Sequence, residues 1–234
     1  MSDFAKFAKA GGSWLFLDAS GRVPCAAVWR DGTWVALRQA CSVPATEALF
    51  ALTDDVLKKS SLTLGECAGF LFVEGPGALL GIRIAAMAIR CWRALPDFAN
   101  KRVFAMGTLE LSAHLLSRHL AVTGSVEGQH AFTLLSDSRQ GWWNATVVRD
   151  GVVPSGFNEI DAAGMETLPE PRFHIAQRNT SKPPPVAHRP FPENLLGNNP
   201  AVLLTHGLLR ETHEPDAANH AGQFAKWHPG RHRA

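Results

Sequence analysis

Phe72-Val73-Glu74-Gly75-Pro76-Gly77-Ala78-Leu79-Leu80-Gly81-Ile82-Arg83-Ile84 runs from an apolar strand through a glycine turn into an apolar helix. The run 68–73 (AGFLFV) has no polar alternation, which suits a strand buried on both faces. Gly75, Pro76 and Gly77 let the backbone turn sharply, and the helix that follows extends to about residue 95. On a 3.6-residue repeat Leu80, Ile84, Met87, Cys91 and Leu95 form one apolar row, and Leu79, Ile82, Ala86 and Ile89 form another. Only Arg83, Arg90 and Arg93 mark a polar stripe, so this helix is expected to be covered on more than one side. Small residues at Ala78, Gly81, Ala85 and Ala88 permit close backbone approach.

A glycine turn at a helix start also reads as a phosphate cradle. That reading lacks support from its surroundings. There is no G-x-x-x-x-G-K-[S/T], no lysine follows, and no hydroxyl stands between Gly77 and Ile89. A tight strand-to-helix turn needs no ligand.

Working toward the amino end, residues 14–17 (WLFL) form a strand that stops at Asp18-Ala19-Ser20-Gly21. Residues 24–29 return as a second strand, the Asp31-Gly32 pair makes a hairpin turn, and 34–39 complete a three-strand meander. A helix over 44–60 carries Glu47 near its start and Lys58-Lys59 at its end, as the helix dipole favours. Its Ala45, Leu49, Leu52 and Val56 can face a sheet, while Thr46, Phe50, Thr53 and Leu57 form a second, semi-apolar row. Toward the carboxyl end follow a strand at 101–105, a helix at 108–119, and strands at 131–135 and 142–148, with a further turn at Asp150-Gly151. The order βββαβα, with a second unit after it, predicts a two-lobed α/β protein. The expected organisation is a loose leader over 1–12, a first lobe over 13–100 and a second over 101–234. Within the second lobe, 166–200 reads as irregular, 201–204 as a buried strand and 222–234 as a basic tail.

Composition narrows the function. The chain has 234 residues, 46% hydrophobic and 19% charged, which excludes wholesale disorder. A net charge of +2, with no basic stripe early in the chain, does not by itself argue for an autonomous nucleic-acid binder. No apolar run is long enough to span a membrane, no signal core opens the sequence, and a cytoplasmic location is expected. Cysteines 25, 41, 67 and 91 make no C-x-x-C pair, and 67 and 91 sit in apolar runs that favour inert burial. His114 and His119 stand about 140° apart on a helix and cannot share a metal, so no metal site is expected. No G-x-S-x-G nucleophile turn is present. Asp18 and Asp137, each after an apolar strand, could hold Mg²⁺ or act as bases in an ATP-dependent phosphotransferase. The missing glycine- and threonine-rich phosphate loop after Asp18 weighs against that, and turn capping is the plainer role for both. Lys226, Arg231, His232 and Arg233 near the end could touch RNA phosphates.

The stretch from Phe72 to Ile84 resembles the G-P-G-S-F-T-G-L-R-I-G signature of the TsaB (YeaZ) family. Leu17-Asp18-Ala19-Ser20 is similar to that family's I-D-T-S turn, and Cys25 to Trp29, through Gly32, to its second strand and hairpin. Ser136-Asp137-Ser138-Arg139-Gln140-Gly141-Trp142-Trp143 is similar to its D-A-R-x-x-E-V-Y stretch. The resemblance covers roughly residues 13–150. Here Ala78-Leu79-Leu80 replace S-F-T and Ala85 replaces a glycine, marking a divergent member.

The resemblance implies a two-lobed actin-like ATPase fold of the RNase H-like superfamily and a non-catalytic dimerisation subunit. Its catalytic partner would be the paralogue TsaD, joined by the ATPase TsaE. Together they place a threonylcarbamoyl group on adenosine 37 of tRNA (t6A biosynthesis). This chain would touch tRNA only through the complex and hold no cofactor, since ATP and Mg²⁺ serve its partners. A homodimer is a further possibility, and an M22-type glycoprotease-like peptidase a lesser alternative. Family members pair through the first two helices. The implied interface is therefore Thr46, Phe50, Thr53 and Leu57 on one helix, and Ala78, Leu79, Gly81, Ile82, Ala85, Ala86 and Ile89 on the other. Gly75, Pro76, Gly77, Gly81 and Arg83 form the motif turn. Ala85→Arg is expected to abolish pairing and leave the chain folded.

Overall fold

The inner strands of the first sheet, over 13–18, 25–30, 69–75 and 102–107, are buried on both faces, and the edge strand over 33–39 is largely exposed. A computed structural model of the chain describes residues 2–39, 45–123, 131–176, 183–192 and 194–216. The elements of the first lobe are α1 (Asp3–Ala10), β1 (Ser13–Asp18), β2 (Cys25–Arg30), β3 (Thr33–Gln39), α2 (Ala45–Lys59), β4 (Gly69–Gly75), α3 (Leu79–Arg93) and β5 (Arg102–Gly107). Then come α4 (Thr108–Thr123), β6 (Ala131–Asp137), β7 (Trp142–Arg149), β8 (Asn158–Asp161), α5 (Ala162–Glu166) and β9 (Arg172–Ile175). The described chain ends with β10 (Arg189–Pro190), α6 (Leu195–Asn198) and β11 (Arg210–Glu211).

The strands form a six-stranded sheet in the order β11-β5-β4-β1-β2-β3 and a five-stranded sheet in the order β10-β9-β6-β7-β8. β1 pairs antiparallel with β2 and parallel with β4, so Phe16 stands between Ala27 and Leu71. Asp31 and Gly32 both adopt positive φ in the β2–β3 hairpin, as the Asp-Gly pair predicts. Along β1, Leu15 and Leu17 enter one core with Leu49 and Val56 of α2 and Ala85 and Ile89 of α3. Trp14 and Phe16 enter a second core that also holds Leu109 and Leu116 of α4 and Phe132 and Leu134 of β6. This second core therefore joins the two sheets through α4. A small third core under the second sheet packs Trp143 against Met165.

Four sequence expectations are corrected. Residues 1–12 are not a loose leader: α1 is capped by Ser2, whose Oγ accepts from the Ala5 amide, and Phe7 is fully buried against Trp14, Trp29 and Phe104. A lobe boundary at 100 fails because β5 belongs to the first sheet, to which the chain returns at β11. The segment 166–200 contains β9, which pairs parallel with β6, together with β10 and α6. Residues 200–204 form a 3₁₀ turn rather than a strand, with Val202 and Leu203 buried. The basic tail 222–234, with Lys226, Arg231, His232 and Arg233, and Cys41 lie outside the described residues.

Candidate functional site

At the glycine turn the chain folds onto itself with almost no space. β4 ends at Gly75, whose φ of 114° lies in the region glycine favours. A Cβ on Gly77 would lie 2.3 Å from the Ser20 carbonyl oxygen, and one on Gly81 would lie 2.2 Å from that of Ala19. The Ala78 amide donates to the Ser20 carbonyl at 2.7 Å. That bond uses an amide at the start of α3, the position where a phosphate cradle would present its donors. Asp18 closes the same turn: its Oδ1 accepts from the Ser20 amide at 2.9 Å and from Ser20 Oγ at 2.7 Å. Burial pushes the Asp18 carboxyl above its ordinary value, and the two Ser20 hydrogen bonds oppose that shift. Gly75, Pro76, Gly77 and Gly81 thus act as a packing joint between β4, α3 and the β1–β2 turn. Arg83 projects from it, exposed.

Asp137 ends β6, and its Oδ1 lies 3.1 Å from Nε2 of His174 on β9. The His174 ring meets His188 edge-on at 5.5 Å. Sequence reading missed both histidines, because neither belongs to a spaced motif. Among the described residues no group of three or more His, Cys, Asp or Glu is placed to hold a metal. Cys25 and Cys67 are buried, and burial pushes the Cys67 thiol up to about 11, which argues against a thiolate nucleophile. Cys91 is exposed, contrary to the burial expected for it.

The two helices present an apolar surface, and of the interface residues the sequence singled out Phe50 stands on it, 49% exposed, while most of the others do not. Thr53, Leu57, Gly81, Ile82, Ala85, Ala86 and Ile89 are buried within the chain itself. Thr53 turns its hydroxyl back to the Leu49 carbonyl at 2.8 Å. These seven are corrected from interface to internal packing. Ala85→Arg would place a guanidinium at a site with no exposure, so it would disrupt the fold rather than spare it. Ala78 and Leu79 are half-buried beside the glycine turn, and the Thr46 side chain lies outside the described residues.

Outward stands the other row of α3, with Leu80 68% exposed, Met87 53%, and Leu95, just beyond the helix, 51%. Phe50 of α2, 49% exposed, meets Trp92 of the adjoining α3 edge-on at 6.4 Å, and Trp92 stacks on buried Phe70 at 5.5 Å. Exposed Arg83 and Arg90 flank the row. Scattered exposed apolar side chains are ordinary; several aligned on adjoining helices indicate a contact surface.

No family model and no curated protein matches the sequence. Solved structures do. YeaZ from Pseudomonas aeruginosa matches with a TM-score of 0.51 and 20% identity, over 69% of this chain and 75% of that one. An uncharacterised protein with similarity to peptidase YeaZ from Pseudomonas aeruginosa matches with the same TM-score and identity, over 70% and 74%. Among the described residues no helix is long and apolar enough to cross a membrane. With two mixed α/β sheets joined through α4 and this likeness to YeaZ, the chain has the two-lobed actin-like fold.

Proposed function

We propose that the chain is a non-catalytic, TsaB-type scaffold subunit. It pairs with a TsaD paralogue, joined by TsaE, in threonylcarbamoylation of adenosine 37 of tRNA. The observation that carries this reading is the set of exposed apolar side chains on two adjoining helices: Leu80 and Met87 on α3, Leu95 just beyond it, and Phe50 on α2. These side chains are already partly covered, so completing their burial contributes roughly 1–2 kcal/mol each, a favourable share of what an interface needs to offset its entropic cost. The glycine joint supports the same reading, since the start of α3 is closed by the chain's own Ser20 carbonyl. The subunit would need no cofactor of its own.

The test is co-purification with the TsaD paralogue of the same organism, followed by size-exclusion chromatography. Wild type is expected to elute as a complex. The pair Leu80→Glu and Met87→Glu, both exposed, is expected to elute as a free chain with an unchanged melting temperature. Absence of a wild-type complex, or full association by the double variant, refutes the assignment. Tight Mg-ATP binding by the isolated chain in calorimetry would favour the phosphotransferase reading instead.

A further inference from the structure

We propose that residues 195–213 are a strap that locks the two lobes at one fixed angle, so that this chain does not open and close about a hinge between them. The chain crosses from sheet to sheet twice. α4 carries it from β5 to β6, and the segment after β10 carries it back to β11. Lobes swing about a hinge when a few connecting residues are free to change their backbone angles. The return crossing here is fastened along its length instead.

It starts beside the second sheet, where β10 pairs with β9 and the Phe191 amide donates to the His174 carbonyl at 3.0 Å. At the outer edge of the first sheet, Trp34 Nε1 of β3 donates to the Leu196 carbonyl at 2.8 Å. One strand further in, Trp29 Nε1 of β2 donates to the Pro200 carbonyl at 3.0 Å. Arg118 of α4 donates to Thr205 Oγ1 at 3.3 Å. The segment then pairs with β5 through β11, and the Thr212 amide donates to the Val103 carbonyl at 3.0 Å. β3 and β5 stand four strand spacings apart, so the strap spans about 19 Å of sheet.

Its far end is held by charge. Glu211 accepts from Arg102 Nε of β5 at 2.7 Å and from Lys6 Nζ of α1 at 2.9 Å. Arg210 pairs with Glu74 of β4, and Arg93 of α3 donates to the His213 carbonyl at 2.7 Å. Between the two ends, Leu195, Val202, Leu203, Leu208 and Leu209 are buried in the core that joins the sheets. Turning one lobe against the other would break the indole, ladder and ion-pair contacts together and drag those five side chains through a close-packed interior. Units joined by an extensive apolar interface move as one body. The functional consequence is that α2 and α3 stand on a platform of fixed shape, and that no ligand draws the lobes together. The strap uses other residues than the exposed apolar ones on α2 and α3, so this assignment and the proposed partner face can fail separately.

Calorimetry and amide hydrogen exchange on the full chain test it. Locked lobes unfold together, so one thermal transition is expected, with equal calorimetric and van't Hoff enthalpies. The hydrogen-bonded amides of 202–212 should exchange within about tenfold of those in β4, because strap and sheet open only by the same unfolding. Trp29→Phe combined with Trp34→Phe keeps two aromatic rings in the core and removes both indole donors. In that variant the strap amides should exchange about tenfold faster or more, while those of β4 and β6 keep their rates. Its calorimetric enthalpy should exceed the van't Hoff value as the lobes begin to unfold separately. Two transitions in the wild type, or wild-type strap exchange about a hundredfold faster than that of β4, overturn the proposal. So does a double variant with unchanged strap exchange, or one whose strap is loosened while the lobes still melt as one, since α4 alone would then couple them. If the double variant does not fold, the wild-type transition and exchange rates decide alone.

Discussion

Gly81→Ala isolates the packing joint, because two opposing effects of known size meet at one atom. Inside an exposed helix, alanine is favoured over glycine by about 1 kcal/mol. At Gly81 the added methyl would lie 2.2 Å from the Ala19 carbonyl oxygen and 3.3 Å from its Cβ. The nearest atom belongs to the backbone, so relief requires α3 to move away from the β1–β2 turn. Overpacking of this kind costs about 1–3 kcal/mol. Losing the bond from the Ala78 amide to Ser20 adds about 1 kcal/mol. The net expectation is destabilisation by about 1–3 kcal/mol, or roughly 2–4 °C of melting temperature for each kcal/mol at this chain length. Gly197→Ala is the control: it lies in α6, and nothing stands within 4 Å of its added Cβ, so stability should hold or rise slightly. Urea and thermal melts of the three proteins decide the matter. Gly81→Ala melting at or above wild type would refute close contact between α3 and the turn.

Phe7→Ala should cost about 3–5 kcal/mol, since its ring is buried against Trp14, Trp29 and Phe104; a loss below about 1 kcal/mol in urea melts would show that α1 contributes no core. Glu211 gives a pH signature. Its carboxyl is held at about 2 in the folded chain against 4.5 ordinarily, so its contribution is complete above pH 4.5 and is lost as pH falls toward 2. Wild type should therefore lose stability across that window more steeply than Glu211→Gln, and equal slopes would show that the carboxylate is not paired with Arg102 and Lys6.

The inner strands β1 and β4 of the first sheet were legible because both their faces are buried. Runs such as WLFL and AGFLFV lack the polar alternation of a half-exposed strand, and Leu15 and Phe16 do enter opposite cores. β9 was not legible, because Arg172 and His174 supply half of its four residues. Arg172 is buried there only because Glu170 and the carbonyls of Glu166 and Leu168 take its guanidinium, a local arrangement that no periodicity announces. β11 has two residues, and its pairing with β5 joins positions more than a hundred residues apart, so the return to the first sheet left no trace in sequence order. α1 did carry a signal, a Ser-Asp cap ahead of apolar residues, but eight residues followed by two glycines read as a loose end.

The helix faces show how a correct pattern yields a wrong assignment. Reading α3 as apolar on two sides was sound; choosing the outward side required knowing what sets its rotation about its own axis. The glycine joint sets it. Gly77 and Gly81 must face Ala19 and Ser20, since any side chain there would collide with their carbonyls. That contact carries Ala85 and the adjacent Ile82 and Ile89 into the core and leaves Leu80, Met87 and Leu95 on the far side. Small residues at helical spacing mark where two backbones approach, so they belong to the buried face, and the bulky apolar residues opposite them are the ones left to meet another surface. The same rule singles out Leu80, the most exposed side chain of this row. Leu80→Thr should consequently weaken binding to a partner adapted to leucine while leaving Gly81-dependent stability untouched, a separation that association and melting measured on one variant would resolve.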